Sequence, residues 1–337
     1  MKSNKQINFY VESGNLDPWF NLSVEEYLAE TIEPNQMMLY LWQNKDTVVI
    51  GSNQNPWKEC NINNMKADGV SLARRLSGGG SVYHDTGNLN FTFITGKELY
   101  NLEKQLEVIV RGVNSFGLNA QFSGRNDILL EGKKFSGNAY FFGDTSSYHH
   151  GTILINADMN RLSNYLNPSK QKISSKGIDS VKSRVVNLQS VCPEITVKKM
   201  KTALKDAFRQ VYGDFEACSH FEALEDAHPD ILKLYEKHSS WQWLYGESPS
   251  FDAYFEDSFD WGEIQIGLNL VDARIENAKV YSDALNTGFA GKLTKALLGK
   301  RFATEELRLT IQSIEASQEE KKILQDIALM KELNPLG

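Results

Sequence analysis

Between Asn88 and Gly117 the hydrophobic period of the chain changes from two to 3.6. Leu89, Phe91 and Phe93 alternate with Asn88, Asn90 and Thr92, the pattern of a strand with one buried face. A short way on, Leu102, Leu106, Ile109, Val113 and Phe116 recur on one helical face, and Gly117 follows as the stop. Short strands are then expected at 127–130, 135–142 and 152–156 with no helix between them. Strands and helices in this order do not make regular βαβ units, so the expected fold is α+β, a mixed β-sheet flanked by helices. Elsewhere Asp17 and Pro18 read as an N-cap and first helical residue, with Phe20, Val24, Tyr27 and Leu28 on one face. Thr47–Ile50 reads as a buried strand ending at Gly51. Thr196 caps a helix marked by Val197, Met200, Leu204, Phe208 and Val211, with Gly213 behind it.

After Trp243 the character changes. Gly246-Glu-Ser-Pro-Ser250 is turn-rich and polar. Beyond it Ile264, Ile266, Leu268 and Leu270 alternate, Lys279–Tyr281 is expected to pair with them, and Ser317-x-x-Glu320 has capping-box spacing ahead of Ile323, Leu324 and Ile327. The expected organisation is a large domain over 1–246, a linker over 247–255 and a small α+β domain over 256–337.

Charge and cysteine usage exclude several classes. Lys and Arg number 36 against 43 Asp and Glu, a net charge of −7, so no overall field draws nucleic acid. Cys60, Cys192 and Cys218 are scattered and form no Cys-x-x-Cys pair, which argues for a reducing compartment and against a zinc site. The stretch Met1–Tyr10 is polar, without a signal-peptide core, and runs such as Met37–Trp42 fall well short of the about 20 residues that span a bilayer. A cytoplasmic monomer is expected, with neither nucleic acid nor membrane as partner.

The most distinctive local feature is Arg74-Arg75-Leu76-Ser77-Gly78-Gly79-Gly80-Ser81-Val82-Tyr83-His84-Asp85. Three glycines let backbone pass close to a ligand, and two arginines can neutralise phosphate or carboxylate. The same residues also suit a tight hairpin turn with solvated arginines. The spacing is neither a Walker A loop nor a dinucleotide fingerprint, since Tyr83 stands where a third glycine would be needed.

A second feature is Gly132-Lys133-Lys134-Phe135-Ser136-Gly137-Asn138, just after Gly124-Arg125-Asn126-Asp127. Strand alternation would put Lys134 on one face with Ser136 and Asn138, where its ammonium could offset charge growing on an α-phosphate. Two lysines in a turn also serve simply as solvated charge. His149 and His150 should point to opposite faces, which disfavours a metal pair. Lys170, Lys172, Lys176, Lys182 and Arg184 face only Asp179, so this run is either a solvated loop or a cover that grips phosphate or an acidic partner.

Together these segments resemble the lipoate–protein ligases of the two-domain bacterial type. The matching stretches are Asp17-Pro-Trp-Phe-Asn-Leu22, Asp46-Thr-Val-Val-Ile-Gly51, Asn55-Pro-Trp-Lys-Glu-Cys60, Arg74–Asp85, Ser123–Asp127, Lys134-x-Ser-Gly137, His149-His-Gly-Thr152, Tyr165-Leu-Asn-Pro168, Lys176-Gly-Ile-x-Ser-Val181 and Ser239-Ser-Trp-x-Trp243. They lie in order across most of residues 15–245, with a looser match at Val280–Leu285. The resemblance implies the fold of biotinyl and lipoyl transferases and a two-step reaction. Lipoate is activated with ATP and Mg2+ to lipoyl-AMP, then passed to a lysine of a lipoyl carrier domain, such as an E2 subunit or the glycine cleavage H protein.

By family pattern the adenylate site takes in Arg74, Arg75, Ser77, Gly78, Gly79, Gly80, Ser81, Val82, Tyr83 and His84. It also takes in Asn126, Asp127, Lys134, Ser136, Gly137, His150, Gly151, Ser180 and Val181. Lys134 is the implied catalytic residue and Asp127 the implied metal ligand. The alternatives are a lipoyl or octanoyl amidotransferase with a cysteine nucleophile, and a carrier-binding protein without activity.

Overall fold

The computed structural model describes residues 5–123, 127–166, 185–224, 226–245 and 252–330. Asn126, Ser180, Val181, the basic run 168–184 and residues 246–251 of the expected linker region lie outside them. The chain divides into two compact units, one of Met1–Val49, Glu59–Ala73 and Val82–Leu244, the other of Ile50–Lys58, Arg74–Ser81 and Tyr245–Gly337.

The first unit is built on a mixed sheet flanked by helices. Its strands, in chain order, are β1 Ile7–Ser13, β2 Gln36–Trp42, β3 Thr47–Ile50, β4 Ser71–Arg74, β5 Val82–His84, β6 Asn88–Gly96, β7 Ala120–Phe122, β8 Asp127–Leu130, β9 Lys133–Phe142, β10 Ser146–Leu154 and β11 Ala217–Phe221. Eight of them form one sheet in the order β11-β1-β2-β6-β10-β9-β8-β7, and β4-β3-β5 form a second, small one. β1 runs parallel to β2 and β11, whereas the remaining neighbours in the large sheet are antiparallel. The parallel strands β1 and β11 have no counterpart in the sequence reading, which took Met37–Trp42 only as an apolar run.

On one face of this sheet Met37, Leu39 and Leu41 of β2 join Leu89, Phe91 and Phe93 of β6. They pack against Leu106, Ile109 and Val113 of the Leu102–Asn114 helix and Met200, Leu204 and Phe208 of the Val197–Tyr212 helix. The second helix starts and stops where its caps predict, whereas the first ends at Asn114, two residues short of the expected Phe116, with Gly117 in the turn beyond. Thr196 Oγ1 accepts from Lys199 N, and Gly117 and Gly213 take positive φ of 79° and 89° behind the last turns.

The other face carries the Pro18–Thr31 helix, itself covered by the Pro229–Ser239 helix. Asp17 caps it, with Oδ1 accepting from Trp19 N at 2.8 Å and Phe20 N at 3.2 Å. Packed on both sides, it buries Glu25 and Glu26 as well as Phe20, Val24 and Leu28. The expectation of a half-buried β6 is therefore corrected. Every residue from Asn88 to Gly96 is buried, because the polar half of the strand faces this helix layer rather than water.

The second unit has its own core. β12 Ala253–Phe259, β13 Gly262–Val271 and β14 Arg274–Ser282 form an antiparallel sheet, and Ile264, Ile266 and Leu268 pack with Phe289, Leu293, Ile323, Leu324 and Ile327. The capping box forms: Glu320 N donates to Ser317 Oγ and Ser317 N to Glu320 Oε2.

Candidate active site

Lys134 enters through the β8–β9 hairpin. Glu131 and Gly132 take φ of 51° and 77°, the two positive values that a two-residue hairpin turn with the strand twist requires. The register then shifts. Lys134 pairs with Leu129 but Ser136 pairs with Ile128, so Phe135 is an extra residue on β9, a β-bulge. The bulge overturns the expected alternation. Ser136 is fully buried beside core residues Ile128 and Phe135, and Asn138 Oδ1 accepts from His149 Nε2 at 2.8 Å, on the hydrophobic-core side. Lys134 instead shares its face with Gly137, whose hypothetical Cβ would lie 3.0 Å from Lys134 Nζ.

On that face the Lys134 ammonium lies 2.6 Å from Asp127 Oδ1, both side chains about one-third exposed. Lys134 is thus neither a free solvated charge nor sealed in the core. Thr152 Oγ1 stands alongside and accepts from Gly137 N at 3.3 Å. Gly151 backs onto the core, where a side chain would meet Gly137 O and Phe91 at 2.6 Å.

The same sheet face continues to His150 and β6. His150 Nδ1 lies 2.9 Å from Glu25 Oε1, Thr92 Oγ1 donates to the same oxygen at 2.6 Å, and Trp42 Nε1 donates to Thr92 Oγ1 at 3.0 Å. All four side chains are buried. Such a network holds a buried carboxylate only because its lone pairs meet donors. Next to it His84 Nδ1 accepts from Asn44 Nδ2 at 3.2 Å, and the His84 ring stands edge-on to Trp42.

The sequence reading missed Glu25, Trp42 and Thr92. The signal was present at Glu25, a carboxylate placed among Phe20, Leu22, Val24 and Leu28 on a helix with no exposed face to hold it. His149 and His150 do point to opposite faces. His149 stacks on Phe93 in the core, and burial, reinforced by neighbouring His150, pushes its imidazole down to about 3, so it is neutral.

β5 carries Tyr83, whose hydroxyl donates to Asp46 Oδ1 at 2.8 Å. Burial first, and Asp46 second, raise this phenol well above its ordinary range, so it stays a donor.

In the second unit the glycine turn is rigidly held. Neither arginine is solvated, which removes the solvated-turn alternative. Arg74 Nη1 donates to the carbonyls of Gly51, Ser52 and Gln54. Arg75 donates to Ser77 Oγ and, through Nη2, to the carbonyls of Gly78 and Gly80 at 2.7 and 2.8 Å. Ser81 Oγ donates to Gln54 Oε1 at 3.0 Å. Gly79 takes a φ of 91°, and its amide donates to Ala284 O at 3.0 Å. A Cβ on Gly78 would fall 2.2 Å from that same oxygen, whereas one on Gly80 would meet nothing. Among the described residues no group of three or more His, Cys, Asp or Glu could hold a metal ion, so Asp127 offers a single carboxylate.

Comparison with known proteins finds two families along the chain. Residues 17–209 match the family described as lipoyl protein ligase A/B catalytic domain, and residues 248–329 match the bacterial lipoate protein ligase C-terminus. A lipoate-protein ligase A of Blochmanniella floridana is 40% identical over 296 residues, 85% of this chain and 87% of that protein. The crystal structure of P. falciparum LipL1 in complex with lipoate superposes with a TM-score of 0.83 at 30% identity, covering 96% of this chain and 100% of that one. A lipoate-protein ligase A bound with ATP shares the fold, with a TM-score of 0.59 at 23% identity over 72% of this chain and 99% of the other.

Proposed function

Because the chain belongs to the lipoate–protein ligases, with both the catalytic and the bacterial C-terminal domain of that family, we propose that it makes lipoyl-AMP from lipoate and ATP and passes the lipoyl group to a carrier lysine. In the first step a lipoate carboxylate oxygen attacks the α-phosphorus and the bond to pyrophosphate breaks. Lys134 stabilises the charge that grows on the phosphoryl oxygens, a role for a pre-positioned cation. In the second step the neutral amine of the carrier lysine attacks the acyl carbon, AMP departs with the bonding electrons, and the amine proton passes to solvent. Carriers of the E2 and H-protein kind are the partners.

The observation that supports this most is the Lys134–Asp127 pair on the face shared by Gly137 and Thr152. The acyl tail is assigned to the continuation of that face past Ala139 and His150 toward Trp42. Burial of the tail contributes about 0.8 kcal/mol per CH2, so octanoate is also a substrate. Tyr83, Val82 and His84 are assigned to the adenylate. Arg74, Arg75, Ser77, Gly78, Gly79, Gly80 and Ser81 are assigned to it through the turn they shape, and Ser136 and Gly151 through their backbone. Asn126, Ser180 and Val181 complete the assignment.

Asp127 would hold a magnesium ion, which when bound would supply charge neutralisation on phosphate. A lone Asp127 carboxylate fits an ion held mostly by phosphate and water. Residues 1–246 are taken as the catalytic domain, 247–255 as linker and 256–337 as accessory domain, in a cytoplasmic monomer. Cys60 is buried and Cys192 packs against the hydrophobic core, which speaks against either of these two as an acyl-accepting nucleophile.

Lipoate-dependent ATP–pyrophosphate exchange tests the proposal. The parent protein should exchange, and Lys134→Ala should lose about 100-fold or more while keeping its fold. Acyl transfer without ATP would refute it.

A further inference from the structure

We propose that Arg161 is a positioning residue for the nucleotide, acting through Asp46 and Tyr83 to fix β5; the inference rests on the ligase reading above. β5 is three residues long and lies at the edge of its sheet, paired along one side with β3. A short edge strand presents backbone groups to a ligand but has little to hold it in place. A site that stabilises a transition state must be fixed to within about 0.5 Å.

The Met159–Tyr165 helix and the residue before it supply the missing restraint. At the middle of β5 Arg161 Nη1 donates to Asp46 Oδ1 at 2.5 Å, the same oxygen that accepts from the Tyr83 hydroxyl. The guanidinium carbon lies 5.6 Å from the centres of both the Tyr83 and Tyr165 rings, which are themselves 5.5 Å apart. Arg161 Nε and Nη2 donate to the Tyr165 hydroxyl, which in turn donates to Asp68 Oδ2 at 2.8 Å. Just beyond the end of β5, Asp158 N donates to Asp85 Oδ2 at 2.7 Å.

Stability alone is a poor reason for this arrangement. The Arg161 and Asp46 side chains are 31% and 28% exposed, and pairs near solvent contribute little to folding. Asp46 also holds a φ of 29°, uncommon for a residue with a side chain. A conformational cost and a planar cation set over a pair of rings are better explained by placement of Tyr83 than by fold energy.

The test uses the full chain and measures ATP–pyrophosphate exchange with ATP and lipoate varied separately. Arg161→Gln and Asp46→Asn should each raise KM for ATP about fivefold or more and leave KM for lipoate within twofold. Arg161→Lys should recover part of the loss. Asp46→Asn keeps an acceptor for Tyr83 and tolerates the positive φ, so it decides the matter should Arg161→Gln fail to fold. An active parent whose variants show unchanged KM for ATP, or an equal rise for both substrates, would overturn the assignment of Arg161. A parent without lipoate-dependent exchange would overturn the ligase reading and this inference with it.

Discussion

Lys134 Nζ and Asp127 Oδ1 lie 2.6 Å apart because a single bulged residue, Phe135, turns Lys134 away from Ser136 and onto the face of Gly137. Without that extra residue the ammonium would point at the hydrophobic core.

Asp127 is therefore expected to aim Lys134. Asp127→Asn keeps the shape and removes the charge. We expect lipoate-dependent exchange to fall about 10- to 100-fold, the scale of a small misplacement at a reacting centre. Both side chains are partly exposed, so thermal denaturation should move little. Exchange at the parent rate would show that Lys134 needs no such partner.

Gly78 and Gly80 should behave oppositely despite being two residues apart. A methyl group on Gly78 collides with the backbone oxygens of Ala284 and Leu285, which cannot rotate away, while one on Gly80 enters open space. Gly78→Ala should cost about 1–3 kcal/mol in denaturant unfolding, the range for overpacking. Gly80→Ala should be indistinguishable from the parent. Equal stabilities for the two variants would contradict the packing described.

Glu25 receives Thr92 and His150 at one oxygen in a fully buried setting. Glu25→Ala leaves both donors without their acceptor, at a cost of about 3 kcal/mol. Urea melts of Glu25→Ala and of Thr92→Val would separate the carboxylate's contribution from that of one donor. A drop below about 1 kcal/mol for the first variant would mean that water replaces the network.

His149 imposes a pH dependence. Its imidazole sits near 3 in the folded state, against about 6.5 for an unrestrained histidine. Between these values the unfolded chain binds the extra proton, so stability is intact above about 6.5 and declines as pH falls toward 3. The slope is about 1.4 kcal/mol per pH unit. His149→Phe retains the stack on Phe93 and removes the titration. The stability difference between parent and variant should shift in the variant's favour as pH is lowered from 6.5 to 4.5; parallel curves would rule out this source.

Features set by near neighbours in the chain were legible in advance. Asp17, Thr196 and Ser317 cap the helices they were expected to cap, and Gly213 ends the second of these. The antiparallel pairing of β13 with β14 was also visible, because one short turn joins them. Contacts between distant segments were not. The parallel alignment of β1 with β11 joins residues some two hundred positions apart. The polar side of β6 has the alternation of a solvent-facing strand, and only the Pro18–Thr31 helix lying over it converts Asn90 and Thr92 into buried groups. The bulge at Phe135 has no marker in residue type, so the side on which Lys134 emerges could not be counted off by parity. The two arginines of the glycine turn were read as ligand-facing or solvated, whereas their donors close on carbonyls a few residues away and on Gly51–Gln54.

The seam at Ala284 bears on any attempt to dissect this enzyme. Asn53 O accepts from Ser282 N, Ala284 O accepts from Gly79 N, and Lys58 is bonded to Glu256, so two early turns are woven into the later fold. A fragment starting at residue 252 would carry these docking groups bare, and cutting the polypeptide there would not release a self-sufficient module. Insertions, tags or permuted ends at the Asp272–Ala273 turn would spare those early turns and disturb only a later contact, where Ala273 O accepts from Phe302 N.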